Sequence, residues 1–407
     1  MSAGIFTSSV LTQDLAVKSF ADIITRLFTN GTSPLFGMTA MLGAETAVAT
    51  EHGFFTKTML FPQLVLSASA LIGDTTLTCT STTNVLPGMI MRVDSSGENI
   101  IINTILSATQ VSVTRGLGSV SPVAISSAVA LFQVGNAFEE ASPRPNALNI
   151  NPVRVTNLTQ IFRNTWGISD TIRATLMIAG ETNQAESKQD CAAFHAADIE
   201  KALFFGQKSQ STRNGQPFRT LDGLINIVGN LSYYPSSYSA VNVTTAGGTT
   251  NYTQFEAALD PVFNQSTDPK VANERVLFVG GAAHRVINNI GRLNGTYYLS
   301  DGQTNYGLQF ETFKTTRGTF RLIEHPLFNT NTSWSKMAVA VDLSTFKTAY
   351  LGDRKTQYKS FNMDSDMDAA DSGVDAVGGT LTTEMTCVVK NPPANAVIYN
   401  LTLGAAG

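Results

Sequence analysis

Residues 183–206 read NQAESKQDCAAFHAADIEKALFFG, the strongest helix signal in the 407-residue chain. Asn183 and Glu186 stand at capping-box spacing, in which the first side chain accepts a backbone amide and the fourth reaches back to another. No proline interrupts the run, and Gly206 supplies a stop. Ala192, Ala196, Ile199 and Leu203 recur near the 3.6-residue period and define one apolar face, the expected core contact of the helix, with Phe194 and Phe205 beside it.

Toward the N-terminus the pattern changes twice. Residues 13–29 read as an amphipathic helix, with Ala16, Phe20, Ile23, Leu27 and Phe28 on one stripe and Gly31 placed to end it. Residues 33–64 mix Pro34, Leu35, Gly37, Gly43 and Gly53. They are too apolar to float free and too broken for one element, so they read as an extended arm that needs another surface. Residues 67–135 then give short runs at Thr75–Thr80, Met89–Asp94, Asn99–Leu106, Gln110–Thr114 and Ala128–Val134, separated by turn residues such as Pro87-Gly88 and Ser96-Gly97. That spacing is expected of a small all-β unit, closed by the segment Ser142-Pro143-Arg144-Pro145.

Beyond the long helix, helix and strand signals alternate. Thr253 and Glu256 open an amphipathic segment with Phe255, Leu259, Val262 and Phe263 inward, and Arg275–Val279 reads as a buried strand. Met337–Val341, Leu381–Val389 and Ala396–Leu403 read as further strands, which makes the whole an α+β protein.

Hydrophobic residues form 43% of the chain and charged residues only 14%, against about 25% in typical soluble domains. Ser, Thr and Asn fill the gap. Hydroxyls and amides exchange water for a partner at lower cost than ammonium or carboxylate groups, so this surface suits extensive subunit contact. A formal charge of −4 argues against a dedicated nucleic-acid binder, although incidental contact with DNA is compatible with it. Cys79, Cys191 and Cys387 are odd in number and far apart, which fits neither a disulfide framework nor a zinc knuckle and agrees with a reducing compartment. The N-terminal residues lack the basic and apolar regions of a secretory signal, and no run reaches membrane-spanning length. Triplets such as Asn157-Leu158-Thr159 therefore carry no expectation of glycosylation.

No reactive constellation emerges. The four histidines, His52, His195, His284 and His325, have no metal-ligand or nucleophile context, and His195 on the long helix reads as a packed residue. Glycines at Gly116, Gly118 and Gly280-Gly281 lack a phosphate-binding motif. The run Asp364-Ser365-Asp366-Met367-Asp368 begins like a calcium loop, but Ala369 replaces the turn glycine and Asp375 is too short for the closing bidentate glutamate. It reads as a solvated acidic loop. No catalytic residue, cofactor or metal is expected.

Eight ordered pieces carry a resemblance. They are Thr32-Ser-Pro-Leu-Phe, Asn136-Ala-Phe-Glu-Glu, Asn157-Leu-Thr-Gln-Ile-Phe, Asp198-Ile-Glu-Lys-Ala-Leu-Phe-Phe-Gly, Arg219-Thr-Leu-Asp-Gly-Leu, Ala349-Tyr-Leu-Gly-Asp-Arg, Leu381-Thr-Thr-Glu-Met-Thr and Lys390-Asn-Pro. In this order the chain resembles the major capsid proteins of tailed bacteriophages, in the subgroup with a β insertion before the long helix. The resemblance implies the Hong Kong 97-type capsid fold. Residues 1–60 would be the N-terminal arm, 61–165 the extended loop with its β insertion, and 166–229 the peripheral domain with a spine helix at 183–206. Residues 230–345 would be the axial domain, and 346–407 the strands returning to the peripheral domain.

The implied function is structural: pentamers and hexamers of one subunit form an icosahedral head around double-stranded DNA. Portal, scaffold and decoration proteins would be partners, with assembly in the host cytoplasm and no membrane involved. Phe20, Ile23, Leu27, Phe28, Pro34 and Leu35 would serve the assembly arm. Two rival classes share parts of the pattern. A β-rich tail or receptor-binding component shares the Thr/Asn-rich composition but should lack the long capped helix, and a hydrolase should carry a reactive constellation.

Overall fold

The computed structural model describes residues 33–57, 62–148, 151–175, 183–234, 240–248, 250–264, 274–294, 303–305, 308–362 and 376–402. They divide into two compact units, one up to Phe54 and from Arg154 onward, the other Phe55–Val153. The expected helix at 13–29 and the acidic loop at 364–375 lie outside the described residues.

In the first unit, strand Ala376–Val389 organises a five-stranded sheet. One side pairs antiparallel with Gln160–Ser169, from Gln160 opposite Met385 to Ser169 opposite Ala376. The other side pairs with Phe346–Leu351 and then Gln357–Asn362, while Glu45–Ala47 runs parallel to Phe346–Leu351. Residues 160–165, expected in the extended loop, thus belong to this sheet because each finds a partner on the central strand.

The long helix spans Asn183–Phe205 and packs on strand Gln160–Ser169. Ile199, Leu203 and Phe204 are buried in the main core with Phe162, Phe278, Phe328 and Met385. The expected stripe needs correction at its first half, where Ala192 is exposed and Ala196 only half-buried. The buried line instead runs Cys191, His195, Ile199, Leu203 at four-residue spacing. Cys191 packs against Trp166 and Val377, and His195 meets polar side chains of the sheet, so the surface beneath this half rewards size and hydrogen bonding that alanine lacks. At the helix end, the Gly206 amide donates to Ala202 O and the Gly223 amide to Gly206 O. A Cβ on Gly223 would lie 2.6 Å from Gly206 N, so the two backbones touch.

A seven-stranded sheet runs in the order Val243–Thr245, Ala396–Tyr399, Ala338–Val341, Glu274–Val279, Thr319–Glu324, Leu308–Lys314, Gln303–Asn305. Leu277 and Val279 of the central strand join the cluster of Phe255, Leu259 and Ile287 from helices Tyr252–Leu259 and Gly281–Asn294, whereas Val276 and Phe278 join the main core. Burial on both faces explains why Val276–Val279 is continuously apolar and Arg275–Val279 reads as a buried strand. Helix Tyr252–Leu259 opens two residues before the sequence pattern places it, because Asn251 and Gln254 form the capping box and leave Thr253 inside the helix. Segment 346–407 supplies both sheets: Phe346–Leu351, Gln357–Asn362 and Ala376–Val389 to the five-stranded one, and Ala396–Tyr399, between Val243–Thr245 and Ala338–Val341, to the seven-stranded one. Between Ala376–Val389 and Ala396–Tyr399 lies buried Asn395, which accepts from Asp342 N and donates to Asn391 O.

The arm segment is not wholly extended. Pro34–Met41 is a helix, since proline at its first position has a suitable φ and no amide to leave unpaired. Strand Glu51–Thr56 then pairs with Val153–Leu158, with Gly53 so close to the Val155 and Thr156 backbone that a side chain would collide.

The second unit is a six-stranded antiparallel sheet, ordered Gln63–Val65, Ala130–Asn136, Met89–Val93, Asn99–Ser107, Gln110–Leu117, Thr76–Thr78. Its core is Leu64, Leu77, Met91, Ile100, Val111 and Leu131 among others. One buried ion pair ties its loops: Arg115 grips Glu98 through Nε at 3.0 Å and an Nη2 at 2.7 Å, and donates to Leu71 O at 2.6 Å. Burial alone would raise the Glu98 pKa, but the Arg115 hydrogen bonds and the amides of Val123 and Gly116 outweigh it and hold the carboxyl below its ordinary range. Arg115→Met should therefore cost about 3–5 kcal/mol by stranding the carboxylate. Hydrogen exchange should accelerate in Asn99–Ser107 and Gln110–Leu117 while Ala376–Val389 keeps its protection; unchanged exchange in the first two strands would refute the role of this pair.

Candidate assembly site

The long helix carries one carboxylate on its buried side. Glu200 has no solvent exposure, and it accepts the Leu35 amide at 2.9 Å and the Phe36 amide at 2.7 Å. These are orphan donors of helix Pro34–Met41, whose own preceding residue, Ser33, makes no side-chain cap. His325 Nδ1 accepts the Leu327 amide at 3.2 Å, so Nε2 carries the proton and donates to Glu200 Oε1 at 2.8 Å. Phe328 stacks on the imidazole at 4.5 Å, and the Phe204 ring meets it edge-on at 5.1 Å. The result is an anchor that fixes helix Pro34–Met41 against the long helix.

A second polar chain lies further along the same helix. Asn164 Nδ2 donates to Asp198 at 3.0 Å, which turns its Oδ1 toward His195 Nδ1 at 2.6 Å. His195 Nδ1–H therefore donates, and Nε2 accepts from the Thr383 hydroxyl at 2.8 Å, which in turn accepts from Thr356. Burial lowers the His195 pKa, with Asp198 opposing the shift in part.

The third junction joins three pieces distant in sequence. Asn157 Nδ2 donates to Asp222 O at 2.9 Å and Cys387 O at 2.7 Å, while its Oδ1 accepts the Asp222 amide at 2.7 Å. The Asp222 carboxylate accepts from the Lys208 amide, Asn226 and the Tyr233 hydroxyl. Burial first, and then that hydrogen bond, push the Tyr233 pKa up. Burial likewise pushes up the Cys387 thiol, which donates to Asp222 O at 3.2 Å. The triplet Asn157-Leu158-Thr159 is thus a buried junction.

Of the residues singled out for assembly, Pro34 and Leu35 are buried at the Glu200 anchor, while Phe20, Ile23, Leu27 and Phe28 lie outside the described residues. Ile199 and Leu203 meet the main core beside this anchor; Ala192 and Ala196 do not. Sequence reasoning missed Glu200, His325 and Asp222. Glu200 was detectable in principle, because it falls on the helix face between Ala196 and Leu203–Phe204, where a solvated acid has no place. Among the described residues no group of His, Cys, Asp or Glu is arranged to hold a metal, and no helix is long and apolar enough to cross a membrane.

The sequence pattern of a family described as SU10 major capsid protein matches residues 4–402. A protein of Pseudomonas phage PaMx41 described as a major capsid protein is 37% identical over 406 residues, covering 98% of this chain and 96% of its own. Among solved structures, one from Mycobacterium phage Cain matches with a TM-score of 0.49 at 9% identity, covering 99% of this chain and all of its own. The capsid of an empty GTA particle matches with a TM-score of 0.48 at 10% identity, covering 98% and 100%.

Two expectations follow from the buried polar groups. Glu200→Gln keeps the shape but replaces one acceptor oxygen with an amide NH2 donor, so each backbone or imidazole donor left unpaired should cost roughly 1–3 kcal/mol. Melting temperature should fall and the Leu35 and Phe36 amides should exchange faster; wild-type exchange at both would contradict the anchor. His195 has a folded pKa below its unfolded value, so the unfolded state binds more protons between the two. Stability should then fall as pH drops below the unfolded value of about 6.5 and level off below the folded one. In His195→Gln the slope of melting temperature between pH 7 and 5 should flatten; an unaltered slope would assign the acid sensitivity elsewhere.

Proposed function

The chain belongs to the SU10 major capsid protein family, and from that premise we propose that it assembles as pentamers and hexamers of an icosahedral head enclosing double-stranded DNA. It is a structural subunit of a phage capsid. The match across residues 4–402 carries this reading, since it spans both compact units rather than one module.

Within this proposal the Hong Kong 97-type arrangement assigns residues 1–60 to the arm and the β unit to the extended loop. The long helix would be the spine of the peripheral domain, and the seven-stranded sheet the centre of the axial domain. Large apolar side chains left in water, including Val48 at 98%, Phe55 at 71% and Leu71 at 69% exposure, support burial between copies, because isolated subunits gain nothing by displaying them. Portal, scaffold and decoration proteins and packaged DNA are the proposed partners, and the host cytoplasm the proposed place of assembly.

Expression of the full chain should give closed shells by electron microscopy, and a stable monomer or trimer under all conditions would count against the reading. Deleting residues 2–30 should leave a near-normal thermal transition, because the Glu200 anchor begins at Leu35, but should abolish closed shells. Normal shells from the truncated chain would make the arm dispensable.

A further inference from the structure

Strands Ser209–Arg213 and Gln216–Thr220 form a hairpin, paired from Ser209 opposite Thr220 to Arg213 opposite Gln216. Its turn is Asn214-Gly215, with both residues in the left-handed region at φ 52° and 74°. Asn-Gly enters such a two-residue turn at little cost, and the turn matches the twist of the strands. The two strands make a sheet of their own, and every residue from Ser209 to Phe218 is exposed.

The residues that suit the turn are also a reactive pair. The backbone amide that follows an asparagine can attack the side-chain carboxamide carbon and close a cyclic imide, which is one reason asparagine is thermolabile. Glycine hinders the attack least because it has no Cβ. A folded protein suppresses the reaction by holding either group in hydrogen bonds or in close packing. Here neither is held. Among the described residues no hydrogen bond involves the Asn214 carboxamide or the Gly215 amide, and a Cβ built on Gly215 would meet nothing within 4 Å. Cyclisation requires the turn to swing out of its hairpin geometry, and a ribbon with no third strand is marginally stable, so that opening is cheap.

The neighbouring pair Asp222-Gly223 has the opposite environment. Its carboxylate accepts from the Lys208 amide, Asn226 and the Tyr233 hydroxyl, and the Gly223 amide donates to Gly206 O at 2.9 Å. Asn30-Gly31 and Asn294-Gly295 share the reactive sequence, but Gly31 and Gly295 lie outside the described residues.

We propose that Asn214 is a spontaneous modification site of the folded protein, converted by way of a cyclic imide to aspartate and isoaspartate. The Gly215 nitrogen gives its proton to hydroxide and bonds to Asn214 Cγ; the Cγ–Nδ2 bond breaks, and ammonia leaves with a proton taken from water. A water molecule then opens the ring. Cleavage between Cγ and the Gly215 nitrogen gives aspartate, and cleavage between the Asn214 carbonyl carbon and that nitrogen gives isoaspartate. Water is the one co-reactant, and nothing is oxidised or reduced. The inference does not depend on the capsid reading.

Both products change the hairpin. Residues 207–220 hold Lys208, Arg213 and Arg219 and no acid, so the reaction places the first carboxylate of this stretch beside Arg213. Isoaspartate also routes the backbone through Cβ, which lengthens a two-residue turn and opposes the pairing of Arg213 with Gln216.

The full chain, incubated at mildly alkaline pH either folded or unfolded in guanidinium chloride, is then digested and mapped by mass spectrometry that separates aspartate from isoaspartate. Residue 214 should convert in the folded chain within about tenfold of its rate in the unfolded one, because hairpin opening is the step that folding adds. The rate should rise about tenfold for each unit of pH, since the attacking nitrogen must first lose its proton. Asn214→Gly accepts the same positive φ and removes the carboxamide. Its thermal transition should match wild type. On ageing, the amides of Ser209–Arg213 should exchange faster in wild type and keep their rate in this variant.

Suppression of more than tenfold at residue 214 in the folded chain would show that the turn protects its asparagine and would overturn the proposal. A rate independent of pH would do the same, as would an equal loss of hairpin protection on ageing in both proteins.

Discussion

A carboxylate removed from water must be filled with donors or it destabilises the fold by several kcal/mol. Glu200 meets that constraint with donors from two remote places, the amides of Leu35 and Phe36 and the imidazole of His325, 125 residues away. Helix Pro34–Met41, the long helix and the turn after strand Thr319–Glu324 are therefore positioned by hydrogen-bond lengths. Apolar contact alone tolerates small displacement; three bonds to one buried group do not. The rings of Phe204 and Phe328 exclude water from His325 and so preserve the strength of its bond to Glu200. Removal of any one partner leaves the others buried and unpaired, which couples three distant segments into one cooperative junction.

The same principle separates what was legible in the sequence from what was not. The existence of the β unit was legible because its strands are short runs set off by turn residues and two of its pairings, Met89–Val93 with Asn99–Ser107 and Asn99–Ser107 with Gln110–Leu117, are local hairpins. The seven-stranded sheet was not, since its order interleaves strands from residue 243 to residue 399 with both parallel and antiparallel pairs. Ile199 and Leu203 obeyed the helical period, but Ala192 did not, because periodicity counts apolar residues while the sheet beneath that turn offers Asn164 and Thr383. Pro34 read as a breaker, yet at the first position of a helix it is a starter. Glu200 escaped notice because polar residues are assigned to the surface unless a partner is visible, and its partners lie more than a hundred residues away.

The resemblance to phage capsid subunits rested on ordered short pieces, and the structure gives several of them a physical reason. Asn157, Asp222 and Cys387 bond to one another, Thr159 meets Glu384 at 3.0 Å, and Glu200 holds Leu35. Five of the eight pieces thus contribute polar groups to buried junctions. Such positions tolerate few substitutions, because a lost partner costs more than a lost methyl group. A rival reading as a tail component would have needed the composition without these junctions.

Charge is distributed accordingly. The carboxylates of Glu98, Glu200 and Glu384 lie inside, where geometry is strict, the first two with buried Arg115 and His325 and the third with Arg354 and Arg219 reaching in from more exposed positions. Outside, hydroxyls, amides and scattered apolar side chains dominate, where each contact is weak and cheap to dehydrate. Each compact unit built this way is internally fixed before it meets a neighbour, while its surface contacts stay individually reversible. Reversibility matters in a closed shell, since a misplaced subunit must leave before its neighbours lock it in. Strong surface ion pairs would slow that exchange, whereas many weak contacts hold only when most of them form together.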